Sequence, residues 1–129
     1  MTPKELKART ARFAREIVIF CTPLLERART YDTAKQLLRA GTAVNANYGS
    51  AQNARSHDEF TAKIGQVLDD ASESRGWLDT LRDTALVPPG GPAKSLWQEA
   101  DELTRIFAKS YATAKAKQAE RRRNKRKLR

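Results

Sequence analysis

The sequence predicts an all-α protein, an antiparallel up-down-up-down four-helix bundle, and three observations lead there. Apolar residues recur at alternating steps of three and four along four separate stretches, the spacing that holds one narrow stripe of a helix against a partner. No stretch alternates with the period of two that a half-buried strand needs. The one strong breaker cluster, Pro88-Pro89-Gly90-Gly91-Pro92, leaves room for long helices on both sides and marks a loop between helices, not a domain boundary. Helices of similar length joined by short links pack as a bundle. A chain of 129 residues, 40% hydrophobic and 31% charged, is enough for one domain with a modest core.

Helix one opens with Thr2 as N-cap, Pro3 at the first helical position and Glu5 reaching back, a capping box. Its stripe is Leu6, Thr10, Phe13, Ile17, Phe20 and Leu24. Pro23 removes the bond to the Ile19 carbonyl, so a kink or early end is expected near Thr22. The polar segment 26–30 links to helix two, Tyr31 to Ala54, with stripe Ala34, Leu37, Gly41, Val44, Tyr48 and Ala51. Its small residues Ala40, Gly41, Ala43 and Ala46 allow close approach of a neighbour. Ser56 with Glu59 starts helix three, His57 to Leu86, whose stripe is Phe60, Ile64, Val67, Ala71, Ser74, Leu78 and Leu81. Asp58, Glu59, Asp69, Asp70, Glu73, Asp79 and Asp83, against Lys63, Arg75 and Arg82, are read as its exposed acidic face. Helix four carries Leu96, Ala100, Leu103, Phe107, Ser110 and Ala114, and no breaker follows Pro92. The bundle is therefore placed at 1–114 and a basic tail, able to extend helix four, at 115–129.

The net charge of +10 sits mostly in that tail. Lys115, Lys117, Arg121, Arg122, Arg123, Lys125, Arg126, Lys127 and Arg129 face only Glu120, which is +8, whereas the first 114 residues carry 16 basic and 14 acidic side chains. Concentrated positive charge points to a polyanionic partner. The tail has no apolar face before Leu128, so insertion into a membrane as an amphipathic helix is not supported. Arginine-rich segments often order on RNA, so phosphate binding is favoured over a merely solubilising end, with RNA preferred to DNA. The other basic face is that of helix one, at Lys4, Lys7, Arg9, Arg12 and Arg15. No apolar run near 18 residues and no secretory signal pattern is present, and a cytoplasmic protein without membrane contact is expected. Cys21, the single cysteine, lies beside Phe20 and reads as a small core hydrophobe.

Chemistry finds little foothold. His57 has no second positioned group for acid–base work and no partners at metal-ligand spacing, and reads as a surface residue. Ser50 and Ser74 have no histidine at helical spacing. Gly90-Gly91 follows prolines and lacks the lysine of a phosphate loop. No catalytic residue, cofactor or metal is assigned. Asn45, Asn47, Asp70 and Glu73 lie near the helix two–helix three interface, where a buried polar network that fixes register is favoured over a ligand site. Trp77 and Trp97 sit in or beside packing stripes, so packing in the core or between subunits is favoured over stacking on bases.

The segment from Leu37 to Leu81 resembles the four-helix bundle protein family named for open reading frames in 23S rRNA intervening sequences. The features are Arg39-Ala40, Ala46-Asn47-Tyr48, Ala51, the Ser56 turn with Phe60, and Glu73-Ser74 followed by Trp77-Leu78. Where a glutamate usually follows the Asn-aromatic pair, this chain has Gly49-Ser50-Ala51. The resemblance implies a homopentameric ring with no established enzymatic activity. A structurally similar basic pentameric bundle, the accessory variability protein of diversity-generating retroelements, binds its reverse transcriptase and touches nucleic acid. Surplus apolar residues off the stripes, Val18, Ile19, Leu25, Trp97, Ile106 and Tyr111, fit self-assembly equally. The expectation is a homo-oligomeric scaffold or adaptor that binds nucleic acid through its tail, with a reverse transcriptase as a candidate partner. The alternative is a pure protein-interaction module.

Overall fold

Thr2 accepts a hydrogen bond from the Glu5 backbone amide at 3.1 Å while the Glu5 carboxylate accepts from the Thr2 amide at 3.2 Å, and this closed box starts the first helix. In the computed structural model, which describes residues 1–129, the helices are α1 (Pro3–Leu24), α2 (Tyr31–Gln52), α3 (His57–Asp83) and α4 (Gly91–Lys127), with no strand. Ser56 caps α3 by accepting from the Glu59 amide at 3.1 Å. Glu59 returns the bond one residue early, to the Arg55 amide, so this cap spans an extra residue.

Three ends differ from the sequence expectation, each for a local reason. α1 runs through Pro23 to Leu24 because the carbonyl that Pro23 leaves unpaired belongs to Ile19, a solvent-facing position where water can satisfy it. α2 stops at Gln52, two residues short, as its last turn tightens onto Asn53 and Ala54. α3 stops at Asp83 because Ala85 takes a left-handed conformation, φ 56°, which turns the chain and carries Val87 into the core. Between α1 and α2, the buried Thr30 hydroxyl donates to the Leu24 carbonyl at 2.7 Å and so satisfies one of the orphaned groups at the end of α1.

The stripes meet as one core. Phe13, Ile17, Leu37, Val44, Ile64, Val67, Leu78, Leu81, Leu103 and Phe107 are each at most 1% exposed, and a fully buried side chain of this kind contributes about 1.5–3 kcal/mol. Phe20 and Phe60 are only half-buried, and in α1 it is Cys21, next to Phe20, that is fully enclosed. That burial pushes the Cys21 thiol up to about 12, so it stays protonated and packs as a hydrophobe. Between α1 and α2, Gly41 lies against Ile17; between α3 and α4, Gly65 lies against the Tyr111 ring.

The fourth side of the molecule is looser. α1 touches α4 far less than any consecutive pair of helices touch, and Arg9 spans the gap to Glu99 and Glu102 at 2.7–2.8 Å. Toward the end of α1 the gap widens into an apolar cleft of about 560 Å³ lined by Ile19, Phe20, Pro23, Leu86, Val87 and Pro92 among others. Ile19 is 73% exposed on its rim.

Candidate nucleic-acid interface

The length of α4 creates the candidate interface. At 37 residues it exceeds α3 by ten, and both helices meet at the α3 start, where His57 Nε2 lies 3.0 Å from the Ala114 carbonyl and the Gln118 amide donates to Asp58 Oδ1 at 2.8 Å. Beyond Gln118 no other helix runs alongside α4, and only the start of α3 at residues 56–58 borders its next turns across a cleft. Nine more residues reach Lys127, a projection of roughly 13 Å at 1.5 Å per residue.

All nine basic residues of 115–129 are exposed, and none forms an ion pair. At 100° per residue they surround the helix instead of forming one face: Arg122 and Lys125 point the same way as Gln118, while Arg123 and Lys127 point away. Lys125, Arg126 and Lys127 suit the negative end of the helix dipole. Like charges four apart, Arg121 with Lys125 and Arg122 with Arg126, oppose the helix, and a polyanion would relieve that opposition. Asp58 is held below the usual carboxylate range first by the Gln118 hydrogen bond, with Arg122, His57 and Lys125 adding to it.

The helix-one cations are differently placed. Arg9 is clamped by Glu99 and Glu102, which hold its guanidinium pKa up, and Arg12 pairs with Glu16 at 3.0 Å. Lys4, Lys7 and Arg15 are exposed.

The four polar residues assigned to one network divide into three contacts. Asn47 Nδ2 donates to Asp70 Oδ2 at 2.8 Å. Asn45 instead faces α1, with its Oδ1 3.3 Å from the Thr10 hydroxyl. Glu73 pairs with Arg39 and accepts from Trp77 Nε1 at 3.3 Å. Asp70 is buried rather than part of an exposed acidic face, and desolvation, reinforced by Glu73 and Asp69, raises its pKa against the Asn47 bond and Arg39. Asn45 and Asn47 are two residues apart on α2 and so lie on nearly opposite sides of the helix, which explains why they meet different neighbours.

His57, read as a surface residue, is half-buried and bonded to α4. Trp77 and Trp97 both pack against the core, with the Arg82 guanidinium 5.8 Å from the centre of the Trp97 ring. Sequence reasoning missed Gln118, the buried polar residue that docks the tail helix. The signal was present, because Phe107, Tyr111, Ala114 and Gln118 continue the four-three-four spacing into the tail. No cluster of three or more His, Cys, Asp or Glu side chains is placed to hold a metal, and no helix is long and apolar enough to cross a membrane.

The chain resembles known proteins over most of its length. A solved structure of a protein of unknown function from the S23 ribosomal protein family of Bacteroides thetaiotaomicron VPI-5482 superposes with a TM-score of 0.75 at 27% identity, covering 81% of this chain and 96% of that one. No curated protein matches the sequence. The model of the 23S rRNA-intervening sequence protein family matches residues 5–109, which span α1, α2, α3 and half of α4, and the chain belongs to that family.

Proposed function

We propose that this chain is a non-enzymatic oligomeric scaffold or adaptor that binds nucleic acid, RNA in preference to DNA, through residues 115–129. The observation that carries the reading is the unneutralised cationic helix beyond the bundle: +8 in fifteen residues, every cation exposed and free of ion pairs. Contacts of this kind grip phosphate without reading bases, so binding is weakly selective and steeply salt-dependent. The bundle is taken as antiparallel and up-down-up-down, a reading supported by pairs such as Arg39–Glu73 with Asn47–Asp70 and Arg75–Asp101 with Asp58–Gln118. Assembly into a homo-oligomeric ring, most simply a pentamer in a cytoplasmic setting, would gather several tails and multiply their avidity. A reverse transcriptase is the protein partner such an accessory bundle would suit.

The apolar cleft between the end of α1 and the α3–α4 link favours one second reading, a protein-interaction module whose tail only confers solubility. Fluorescence anisotropy of a labelled single-stranded RNA over a salt series separates the two. The full chain should show log affinity falling with log salt at a slope of about −3 if half of one tail engages, and a chain ending at Ala114 should lose both affinity and slope. Equal affinity and slope for the two chains would move the contacts to the bundle and end the tail reading.

A further inference from the structure

The nine tail cations are not equivalent. A cleft of about 380 Å³ lies where α4 leaves the start of α3, and Arg121, Arg122 and Lys125 line it from one side while His57 and Asp58 line it from the other. Gln118, 8% exposed, forms the pivot: its amide donates to Asp58 and so fixes the angle at which the basic turn crosses α3. His57 is tied to the Ala114 carbonyl four residues earlier on the same helix. Two bonds from consecutive residues of α3 thus hold the first basic turn of the tail in one place, whereas the cations on the opposite side of α4 have only solvent around them.

We infer that this cleft is a phosphate-binding site, a fixed anchor point within an otherwise diffuse cationic tail. Its charge fits the ligand. Three cations against the single carboxylate of Asp58 leave a net +2, and arginine presents a planar fork that takes two phosphate oxygens at once. Asp58 forms no ion pair with any of the three, and its Oδ1 accepts from Gln118. It does place one negative charge beside the incoming anion, and the site is therefore weaker than its cations alone would make it. The same phosphate chemistry could come from a diester within a strand or from a terminal monophosphate. The proposal rests on the nucleic-acid reading only for that source; the cleft would bind phosphate whether or not RNA is the partner.

The test removes equal charge from two places. R121Q/R122Q/K125Q empties the cleft of cations, and K117Q/R123Q/K127Q removes three that do not line it. Inorganic phosphate is titrated into the full-length protein at constant ionic strength, with the His57 ring and Gln118 side-chain amide signals followed by NMR. Saturable shifts are expected in the wild type and in the outward triple variant, and a loss of at least tenfold in affinity in the cleft variant. D58N keeps an oxygen for Gln118 and deletes the competing charge, so it should bind phosphate several-fold more tightly. Intact amide spectra of the bundle show that each variant is folded. Equal weakening by both triple variants, linear non-saturating shifts in the wild type, or no gain for D58N overturns the anchor. Anisotropy with a single-stranded 12-mer, with and without a 5′-phosphate, then identifies the source: a preference for the phosphorylated end that disappears in the cleft variant marks a monophosphate, and equal loss for both marks a diester. RNA affinity that falls alike in both triple variants while the cleft variant alone loses inorganic phosphate would preserve the tail reading and the anchor but separate them. No RNA binding by the wild type would remove the tail reading and leave the phosphate result to decide the anchor.

Discussion

Gly41 and Gly76 are both mid-helix glycines, and their surroundings are opposite. A Cβ on Gly41 would lie 2.8 and 2.9 Å from two carbons of Ile17, which is fully buried and has no room to retreat. A Cβ on Gly76 would meet nothing within 4 Å. Alanine gains about 1 kcal/mol over glycine in a helix, whereas overpacking a core costs about 1–3 kcal/mol. G76A should therefore stabilise by about 0.5–1 kcal/mol and G41A should destabilise by up to about 2 kcal/mol, read from guanidinium unfolding midpoints. A midpoint for G41A above that of the wild type would show that the α1–α2 approach is not as tight as the Ile17 contact indicates. Asp70 supplies a second test at this scale. Its pKa is raised by burial, so the native state holds the proton more tightly than the unfolded chain, and ionisation costs stability as pH rises from about 3.8 through the raised value. D70N keeps an oxygen for Asn47 and removes that cost. Its advantage over the wild type should be near zero at pH 3.8 and grow to a plateau by pH 7; a pH-independent difference would place the effect outside this carboxylate.

Four helices were legible because their core positions repeat at three and four, a pattern local enough to read from residues such as Ala34-Leu37-Gly41-Val44 without knowing the partner. The ends were less legible where a tertiary effect decided them. Nothing in the letters Thr84-Ala85-Leu86 marks a helix stop, and the left-handed turn at Ala85 makes sense only once Val87 is seen to enter the core. The polar residues show the same limit. Asn45 and Asn47 are two apart, and which helix each meets depends on how α2 is rotated against both neighbours. The nine tail cations needed no structure to find, because charge is composition. Their division into cleft-lining and outward-facing sets did need it, since that follows from the register between α3 and α4 that Gln118 fixes. His57 was misread for a related reason: a lone histidine has no periodicity to place it, and its partner is a backbone carbonyl that no sequence pattern announces.

The whole molecule separates its properties along one axis, with the apolar cleft beside the end of α1 and the α3–α4 link at one extremity and the basic projection of α4 at the other. Within a single chain that cleft is an energetic liability, because Ile19 is 73% exposed on the rim of a cavity already lined by Phe20, Pro23, Leu86 and Pro92. Burial against a second copy would remove the liability without adding charge, and it would leave the basic projection outside the contact. Size exclusion with light scattering at micromolar concentration should accordingly give a mass several-fold above the 14.5 kDa of one chain, near five-fold for the proposed ring. I19D places a carboxylate on the rim. Since most of the Ile19 side chain already faces solvent, the substitution should leave helicity by circular dichroism unchanged and shift the scattering mass toward that of one chain. A wild-type mass of 14.5 kDa would dismiss the ring outright, and an I19D oligomer of undiminished mass would require the contact to lie on a face other than this cleft.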